Sequence, residues 1–383
     1  MPTLSITQKQ IVIPRYTSSS SPKPILLFEN QSIMTLTFHF IMGFLGFLSI
    51  SFALSPKDFR KTIIVGKNEQ NQFKTVQSAI DSIPNDNLQW IKIHIQEGTF
   101  REQVRIPRNK WFILLEGEGR DKTTLVESKY MNAETWNLNP TTRFEKGFIT
   151  DMDEYQKVIL DVSLEGSATF VSEANNIIIK DITLKNDYSS STGLIKRAVA
   201  ADIKGDMTSF YNCGFVSFQD TLYDRSGRHY FSNCYIEGHV DYIFGHGQSI
   251  YERYTIFSAT NKKGSKGWIT AQGRAKSTDR DGFLFKDCDL TGPGLSYLGR
   301  AWGSYSKVVF YRSKMANIIV PEGWDQWDQS PSNLEYSEYD CSGPGSSLSS
   351  RVNWMKTLSS KEIELYSGNS FIDNQGWIND QPK

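Results

Sequence analysis

Cysteine is scarce in this 383-residue sequence, which contains only four. So few cysteines exclude a disulfide-rich scaffold, and no Cys-x-x-Cys pair is present that would suggest a zinc site. Cysteine usage thus gives no sign of a zinc site, and we expect no cofactor. The four residues, which we expect to pack as small apolar side chains, are Cys213, Cys234, Cys288 and Cys341.

Net charge is absent as well, because 42 basic residues balance 42 acidic ones. A chain without an overall positive charge has no long-range attraction for nucleic acid, so we expect no nucleic-acid partner. Hydrophobic residues make up 39% of the chain and aromatic residues 13%, which is enough for a substantial core. This composition is typical of a globular protein with one large domain or two ordinary ones.

A long uncharged stretch, Ser32–Ser55, lies near the N-terminus. Its apolar core at residues 36–54 is close to the length that crosses a bilayer, so a membrane anchor stays open. However, Ser51 and Ala53 have the small-residue spacing of a signal-peptidase site, and we favour export with cleavage near Ala53. We therefore assign residues 1–55 to a leader with a signal peptide, and the folded domain to residues 56–383.

Helical periodicity is rare in the rest of the chain. Residues 73–83 place apolar side chains on one helical face, and Pro84 ends this short predicted helix. Directly afterwards, residues 91–95 alternate isoleucine with polar residues, as in a strand with one buried face. Short strands are predicted for most of the sequence that follows.

A six-residue motif recurs along these strands: an aromatic residue, two residues, cysteine or a substitute, one residue and an apolar residue. A period in the twenties, built from short strands and polar turns, predicts a solenoid. We predict an all-β, right-handed parallel β-helix with a short N-terminal capping helix and C-terminal loops or helices. The repeated positions are predicted to stack in the core, and one disulfide between stacked coils stays open. The motif copies are "FYNCGF" (210–215), "FSNCYI" (231–236), "YERYTI" (251–256), "FKDCDL" (285–290) and "FYRSKM" (310–315).

Two aspartates occupy the same position on consecutive repeats. Asp220 follows Cys213 by seven residues, and Asp241 follows Cys234 by seven residues. Adjacent strands lie about 4.8 Å apart, so the two carboxylates are expected on one surface at roughly 5 Å. Like charges this close resist joint ionisation, which predicts a raised pKa for one carboxyl and a low pKa for the other. The spacing alone fits a pair of turn-capping aspartates equally well.

Five ordered motifs resemble the signature blocks of plant pectinesterases, the pectin methylesterases. The resemblance covers residues 62–378 and is greatest to the plant forms that lack an inhibitor-like pro-domain. It implies a right-handed β-helix that hydrolyses methyl esters of pectin (homogalacturonan) without a metal, secreted to the cell wall. It also implies a monomer, and a proteinaceous pectinesterase inhibitor as a partner. The motifs are "EGTFREQVRIP", "FQDTLY", "EGHVDYIFG", "ITAQGR" and "YLGRAWG".

The resemblance implies four catalytic residues. Asp241 is the expected nucleophile, and Asp220 is the expected acid that protonates methanol and the base that then activates water. Gln219 is expected to donate a hydrogen bond to the oxyanion. Arg300 is expected to pair with Asp241 and keep it ionised. Acyl transfer without a metal needs an ionised nucleophile, a proton donor and a preorganised amide, and these residues supply all three.

Aromatic residues near these motifs are candidate platforms for sugar rings. We expect Trp302 and Trp324 to line the groove, because each lies in a Gly-bounded polar loop. For Tyr223, Tyr242 and Phe244, core packing remains the alternative. Arg197, in "KRAVAA", is a further candidate for substrate binding.

Arg197 stands where the family usually has a second oxyanion glutamine. It replaces that amide, binds a substrate carboxylate or faces solvent, and the sequence leaves these alternatives open. Ala301 stands where the family usually has proline, which is a milder departure. Residues 128–166 enlarge a loop that is usually shorter, and they are either a surface excursion from the β-helix or a translated intron.

Two other functions stay open. A retaining glycoside hydrolase also uses carboxyl groups about 5 to 5.5 Å apart, although Gln219 and Arg300 argue against it. A pectin-binding β-helix with catalysis impaired by Arg197 is the other. Methanol release without chain shortening would indicate an esterase and exclude the glycoside hydrolase. Pectin binding without turnover would indicate the binding protein.

Overall fold

The computed structural model describes residues 58–131, 164–260 and 265–382. The assigned leader, residues 1–55, and residues 132–163 of the insertion lie outside the described residues. In the part described, no helix is both long enough and apolar enough to span a membrane.

Short strands dominate the described chain. The helices are α1 (Val76–Asp81), α2 (Tyr188–Thr192), α3 (Ser360–Ser367) and α4 (Trp377–Asp380), with 3-10 turns at Pro331–Asn333 and Pro344–Ser346. The strands, in chain order, are β1 (Lys61–Val65), β2 (Ile91–Ile95), β3 (Gly98–Arg101), β4 (Val104–Ile106), β5 (Ile113–Glu116), β6 (Thr123–Glu127), β7 (Phe170–Ser172), β8 (Ile177–Lys180), β9 (Thr183–Asn186), β10 (Ala201–Ile203), β11 (Thr208–Tyr211), β12 (Gly214–Val216), β13 (Leu222–Asp224), β14 (Arg228–Ser232), β15 (Tyr235–Gly238), β16 (Val240–Gly245), β17 (Gln248–Glu252), β18 (Thr255–Ser258), β19 (Lys266–Gln272), β20 (Gly282–Lys286), β21 (Asp289–Thr291), β22 (Leu295–Ala301), β23 (Lys307–Tyr311), β24 (Lys314–Met315), β25 (Trp324–Asp325) and β26 (Glu335–Tyr339).

These strands form three parallel sheets. Sheet A has ten strands in the order β1-β2-β5-β8-β11-β14-β17-β20-β23-β26. Sheet B has eight, β3-β6-β9-β12-β15-β18-β21-β24, and sheet C has eight, β4-β7-β10-β13-β16-β19-β22-β25. From β2 onward the chain visits sheets A, B and C in turn, so each turn adds one strand to each sheet. This is a parallel β-helix, and the predicted fold class is confirmed.

The aromatic positions of the sequence repeat form a continuous ladder inside the coil. Their rings stack in register, with centroid separations of 4.9, 4.6, 4.6 and 4.5 Å between successive members. Because parallel strands repeat at a nearly constant spacing, equivalent residues on consecutive coils must meet. The ladder consists of Phe210, Phe231, Tyr251, Phe285 and Phe310.

The cysteine positions of the repeat stack beside this ladder. Cys213 N–H donates to the sulfur of Cys234 at 3.3 Å, and Cys288 N–H donates to the Ser313 hydroxyl at 3.2 Å. All four cysteines are free, so the disulfide left open by the sequence is not formed. They pack as small core residues, as predicted.

Helices cover one end and one side of the coil. Thr75 caps α1 through its side chain, and the helix buries Val76, Ala79 and Ile80, as the periodicity predicts. On one side of the coil, Tyr366 of α3 and Trp377 of α4 pack against the outer face of sheet A. This outer face is therefore occupied, whereas the outer face of sheet C carries the candidate site.

Sheet C aligns one row of outward-facing residues along its length. Strand alternation places the residues on either side of this row inside the coil. The row follows the sheet from its first strand to its last, and Phe244, Ala271 and Arg300 of this row line a pocket. Its members are Arg105, Val171, Asp202, Tyr223, Phe244, Ala271, Arg300 and Asp325.

Candidate active site

Asp220 and Asp241 occupy equivalent positions on adjacent coils. The backbone of Gln219 pairs in parallel with that of Val240 on the next coil. Asp220 follows Gln219 and Asp241 follows Val240, so the two aspartates lie side by side. The Asp220 N–H donates to the Val240 carbonyl at 3.0 Å. Both aspartates have left-handed backbone conformations, with φ of 60° and 48°, a region that aspartate tolerates better than most residues. The left-handed turns therefore recur with the coil and hold both carboxyls at the same edge of sheet C. Both are buried, at 6% and 8% exposure.

Arg300 holds one of the two carboxyls. It lies on β22, and its Nε donates to Oδ1 of Asp241 at 2.7 Å while Nη2 donates to Oδ2. The guanidinium is flanked by two indole rings, with its carbon 4.4 Å from the centroid of Trp268 and 3.9 Å from that of Trp327. These rings fix the plane of the guanidinium, which in turn fixes the orientation of the Asp241 carboxyl.

The two carboxyls have different electrostatic environments. Burial, followed by the charge of Asp241, raises the pKa of Asp220 to about 8, although Arg197, Arg300 and Gln219 act in the opposite direction. Burial also raises the pKa of Asp241, against the two hydrogen bonds from Arg300, which favour its ionised form. The prediction that one carboxyl keeps a low pKa is therefore wrong, because burial acts on both. The difference between them lies in Arg300, which forms hydrogen bonds with Asp241 only.

Arg197 faces the same carboxyls. Its backbone pairs with Gln219, one strand further along the sheet, and its Nε lies 3.7 Å from Oδ2 of Asp220. Its Nη1 lies 3.8 Å from the sulfur of Met131, and 47% of the side chain is exposed. Of the alternatives left by the sequence, a side chain that only faces solvent does not match this geometry.

A small pocket of about 80 Å³ opens above the carboxyl pair. It brings together charged groups and apolar walls at one point on the outer face of sheet C. Its lining residues are Leu164, Arg197, Asp220, Asp241, Phe244, Ala271, Arg300, Trp302 and Trp327.

The aromatic residues predicted near the site have different positions. Tyr223 is only 1% exposed, and its ring stacks against that of Phe244 with centroids 4.3 Å apart. Tyr223 thus supports Phe244 from the side and does not line the pocket. Trp302 is partly exposed, lies 6.2 Å from the Phe244 ring and lines the pocket, as predicted.

Trp324 does not line the groove. It is 1% exposed, stacks on Tyr336 at 4.6 Å and donates its indole N–H to Glu338 at 3.1 Å. The sequence prediction is wrong here because alternation along β25 turns Trp324 into the coil and Asp325 outward. Trp327, 43% exposed and lining the pocket, is the tryptophan of this loop that reaches the site. Because β25 is only two residues long and Trp327 lies outside it, the sequence carried no signal that separates the two tryptophans.

No metal-binding group appears among residues 58–131, 164–260 and 265–382: no three His, Cys, Asp or Glu side chains come together there in a suitable arrangement. The pocket itself is lined by the paired carboxyls and two guanidinium groups, and the Gln219 side chain forms a hydrogen bond with Asp220. Such a set suits acyl transfer by an ionised carboxylate beside a protonated one.

Comparison with known proteins identifies the family of this chain. The sequence profile of the pectinesterase family matches residues 62–157 and 145–375. The chain belongs to the pectinesterase family. Pectinesterase 10 of Arabidopsis thaliana is 41% identical over 335 residues, covering 86% of this chain and 90% of that protein. Pectinesterase 29 of the same plant is 38% identical over 334 residues, covering 85% and 90%.

Solved pectinesterase structures share the fold. A pectin methylesterase from carrot superposes with a TM-score of 0.71 at 29% identity, covering 83% of this chain and 94% of that one. One from Aspergillus niger superposes with a TM-score of 0.66 at 26% identity, covering 83% and 95%. The pectinesterase fold therefore extends over the described coil.

Proposed function

We propose that this pectinesterase hydrolyses the methyl esters of galacturonate units in pectin through a covalent intermediate on Asp241. The observation that carries the proposal is the pair of stacked, buried carboxyls with different partners. Arg300 binds Asp241 through two hydrogen bonds, whereas the Asp220 pKa of about 8 keeps that carboxyl protonated at neutral pH. A nucleophile and a proton donor thus lie side by side.

In the first half-reaction, a carboxylate oxygen of Asp241 attacks the ester carbonyl carbon. The carbonyl oxygen becomes an oxyanion, for which the Gln219 amide is the proposed neutral hydrogen-bond donor. As the tetrahedral species collapses, the bond to the methoxy oxygen breaks and Asp220 transfers its proton to that oxygen. Methanol leaves, an anhydride links the galacturonyl group to Asp241, and Asp220 is now ionised.

In the second half-reaction, Asp220 removes a proton from water as the water oxygen attacks the galacturonyl carbonyl. The bond to Asp241 breaks, and Asp241 leaves as a carboxylate held by Arg300. The galacturonic acid formed ionises to a carboxylate. Asp220 is protonated again, so both side chains return to their starting states.

The pectin chain is proposed to lie over the outward row of sheet C. Phe244, Trp302 and Trp327 present apolar surface to the pocket, and sugar rings stack on such surfaces. Arg197 stands at the edge of the carboxyl pair, beside the position proposed for the reacting ester. Tyr223 is proposed to support this surface through Phe244.

We also propose that the protein acts outside the cell, at the plant cell wall. The support is the uncharged stretch with its small-residue cleavage pattern near Ala53. N-terminal sequencing of protein recovered from the wall tests this, and an intact apolar stretch in a membrane fraction would point to an anchor instead. The inhibitor partner and the monomeric state remain predictions from the family resemblance.

Methanol release from highly methylated pectin is the decisive measurement for the activity. We expect the purified protein to release methanol while the viscosity-average chain length of the pectin stays constant. Chain shortening would contradict the esterase mechanism, and binding without methanol release would indicate an inactive pectin-binding protein.

A further inference from the structure

The charged residues that line the pocket carry a net charge of about +1 at neutral pH. Its charged lining residues are Arg197, Asp220, Asp241 and Arg300. Arg300 and Asp241 form a bidentate pair and neutralise each other. Asp220, with a pKa of about 8, is uncharged at neutral pH, so the charge of Arg197 is left uncompensated within the described lining.

The guanidinium of Arg197 has few partners to satisfy it. Its nearest carboxylate oxygen, on Asp220, is 3.7 Å from Nε, which is beyond hydrogen-bond distance, and its contact with the Met131 sulfur at 3.8 Å is weak. Of these two partners, Asp220 lines the pocket. Among the described residues, the guanidinium therefore retains N–H donors beside the reacting carboxyls.

We infer that Arg197 binds the free carboxylate of the de-esterified product and makes this enzyme subject to inhibition by its own product. The inference rests on the proposed function, because ester hydrolysis at Asp241 creates the product carboxylate beside Arg197. The substrate ester is uncharged, so it accepts a hydrogen bond from the guanidinium without forming an ion pair. The product carboxylate accepts a hydrogen bond and forms an ion pair with the same guanidinium, which is stronger. Arg197 thus discriminates in favour of de-esterified galacturonate.

The test uses de-esterified trigalacturonate, which has no ester to turn over, as the titrant in calorimetry with the whole protein. We expect Arg197→Gln, which keeps an amide donor but removes the charge, to weaken binding roughly tenfold, the lower end for a hydrogen bond to a charged group. Arg253→Gln is the matched control. That arginine is also about half exposed, at 52%, but it contacts Asn233, Ser232 and Glu252 and does not line the pocket.

Two further measurements complete the test. In the methanol-release assay, the inhibition constant of trigalacturonate should rise by the same factor in Arg197→Gln and stay unchanged in Arg253→Gln. An uncharged galactose trisaccharide should bind wild type and Arg197→Gln equally. Equal trigalacturonate affinity in wild type and Arg197→Gln overturns the inference, as does an equal loss of affinity for the uncharged sugar. Calorimetry needs no turnover, so a missing methanol signal would refute the ester hydrolysis alone.

Discussion

Replacing Asp220 by asparagine should stabilise the fold at neutral pH while it removes activity. The buried carboxyl has a pKa of about 8 in the folded protein against an ordinary value of 3.8. Because the folded pKa is the higher one, the folded state holds the proton more tightly than the unfolded state. The stabilising contribution of the protonated group is complete below about pH 4 and is lost as pH rises to about 8.

The magnitude follows from the width of this window. Each pKa unit corresponds to 1.36 kcal/mol, so at pH 7 the unfolded state gains about 4 kcal/mol from ionising a carboxyl that stays protonated in the fold. Asparagine has a similar shape and no proton to release. The difference in unfolding free energy between Asp220→Asn and wild type should therefore grow by about 1.4 kcal/mol per pH unit between pH 5 and 8. For a domain of this size, a stabilisation of about 4 kcal/mol at pH 7 should raise the melting temperature of Asp220→Asn by roughly 8 °C above that of wild type.

Differential scanning calorimetry from pH 4 to 9, on wild type and Asp220→Asn, measures this directly. The exposed Asp289→Asn provides the matched control and should follow the wild-type curve at every pH. Methanol release, measured in parallel, should be severely reduced in Asp220→Asn for want of a proton donor. Melting curves of Asp220→Asn and wild type that run parallel with pH would show that Asp220 ionises normally in the fold, and the acid assignment would then lose its basis.

Three other predictions concern the remaining site residues. Asp241→Asn should abolish methanol release but retain pectin binding, measured by affinity electrophoresis; retained turnover would exclude Asp241 as the nucleophile. Gln219→Ala should lower kcat about 10²- to 10³-fold, more than Arg197→Ala; the reverse order on the same pectin would make Arg197 the main oxyanion donor. Trp324→Ala should cost about 3–5 kcal/mol of stability in denaturant titration, whereas the exposed Trp327→Ala should leave stability nearly unchanged and lower kcat/KM; equal stabilities would contradict their placement.

The coil itself was predictable from the sequence because a solenoid repeats its interactions. The "FYNCGF" and "FSNCYI" motifs align without gaps, and the structure pairs Phe210 with Phe231 in the same register. For the same reason, the sequence could predict that Asp220 and Asp241 lie next to each other. Each coil meets only its neighbours, so an equal offset from the repeat is enough to place two residues side by side.

Features outside the repeat were not predictable in this way. The sequence gives no register for the loop that contains Trp324 and Trp327, and a loop rich in glycine and polar residues suggested exposure for the first of them. The short strand β25 reverses that expectation by pointing Trp324 inward. Likewise, the pKa of a carboxyl depends on its depth below the surface, which spacing along the chain does not contain.

The difference between the two carboxyls arises from neighbours that do not repeat. A regular coil places Asp220 and Asp241 in the same conformation and at nearly the same depth, so symmetry alone would give them similar acidity. Arg300 breaks this symmetry because it reaches Asp241 from β22, two strands beyond β16 in sheet C. Arg197 approaches Asp220 from the opposite side and stops short of a hydrogen bond. The repeat thus brings two like charges together, and two arginines at unequal distances make one carboxyl suited to attack and the other suited to carry a proton.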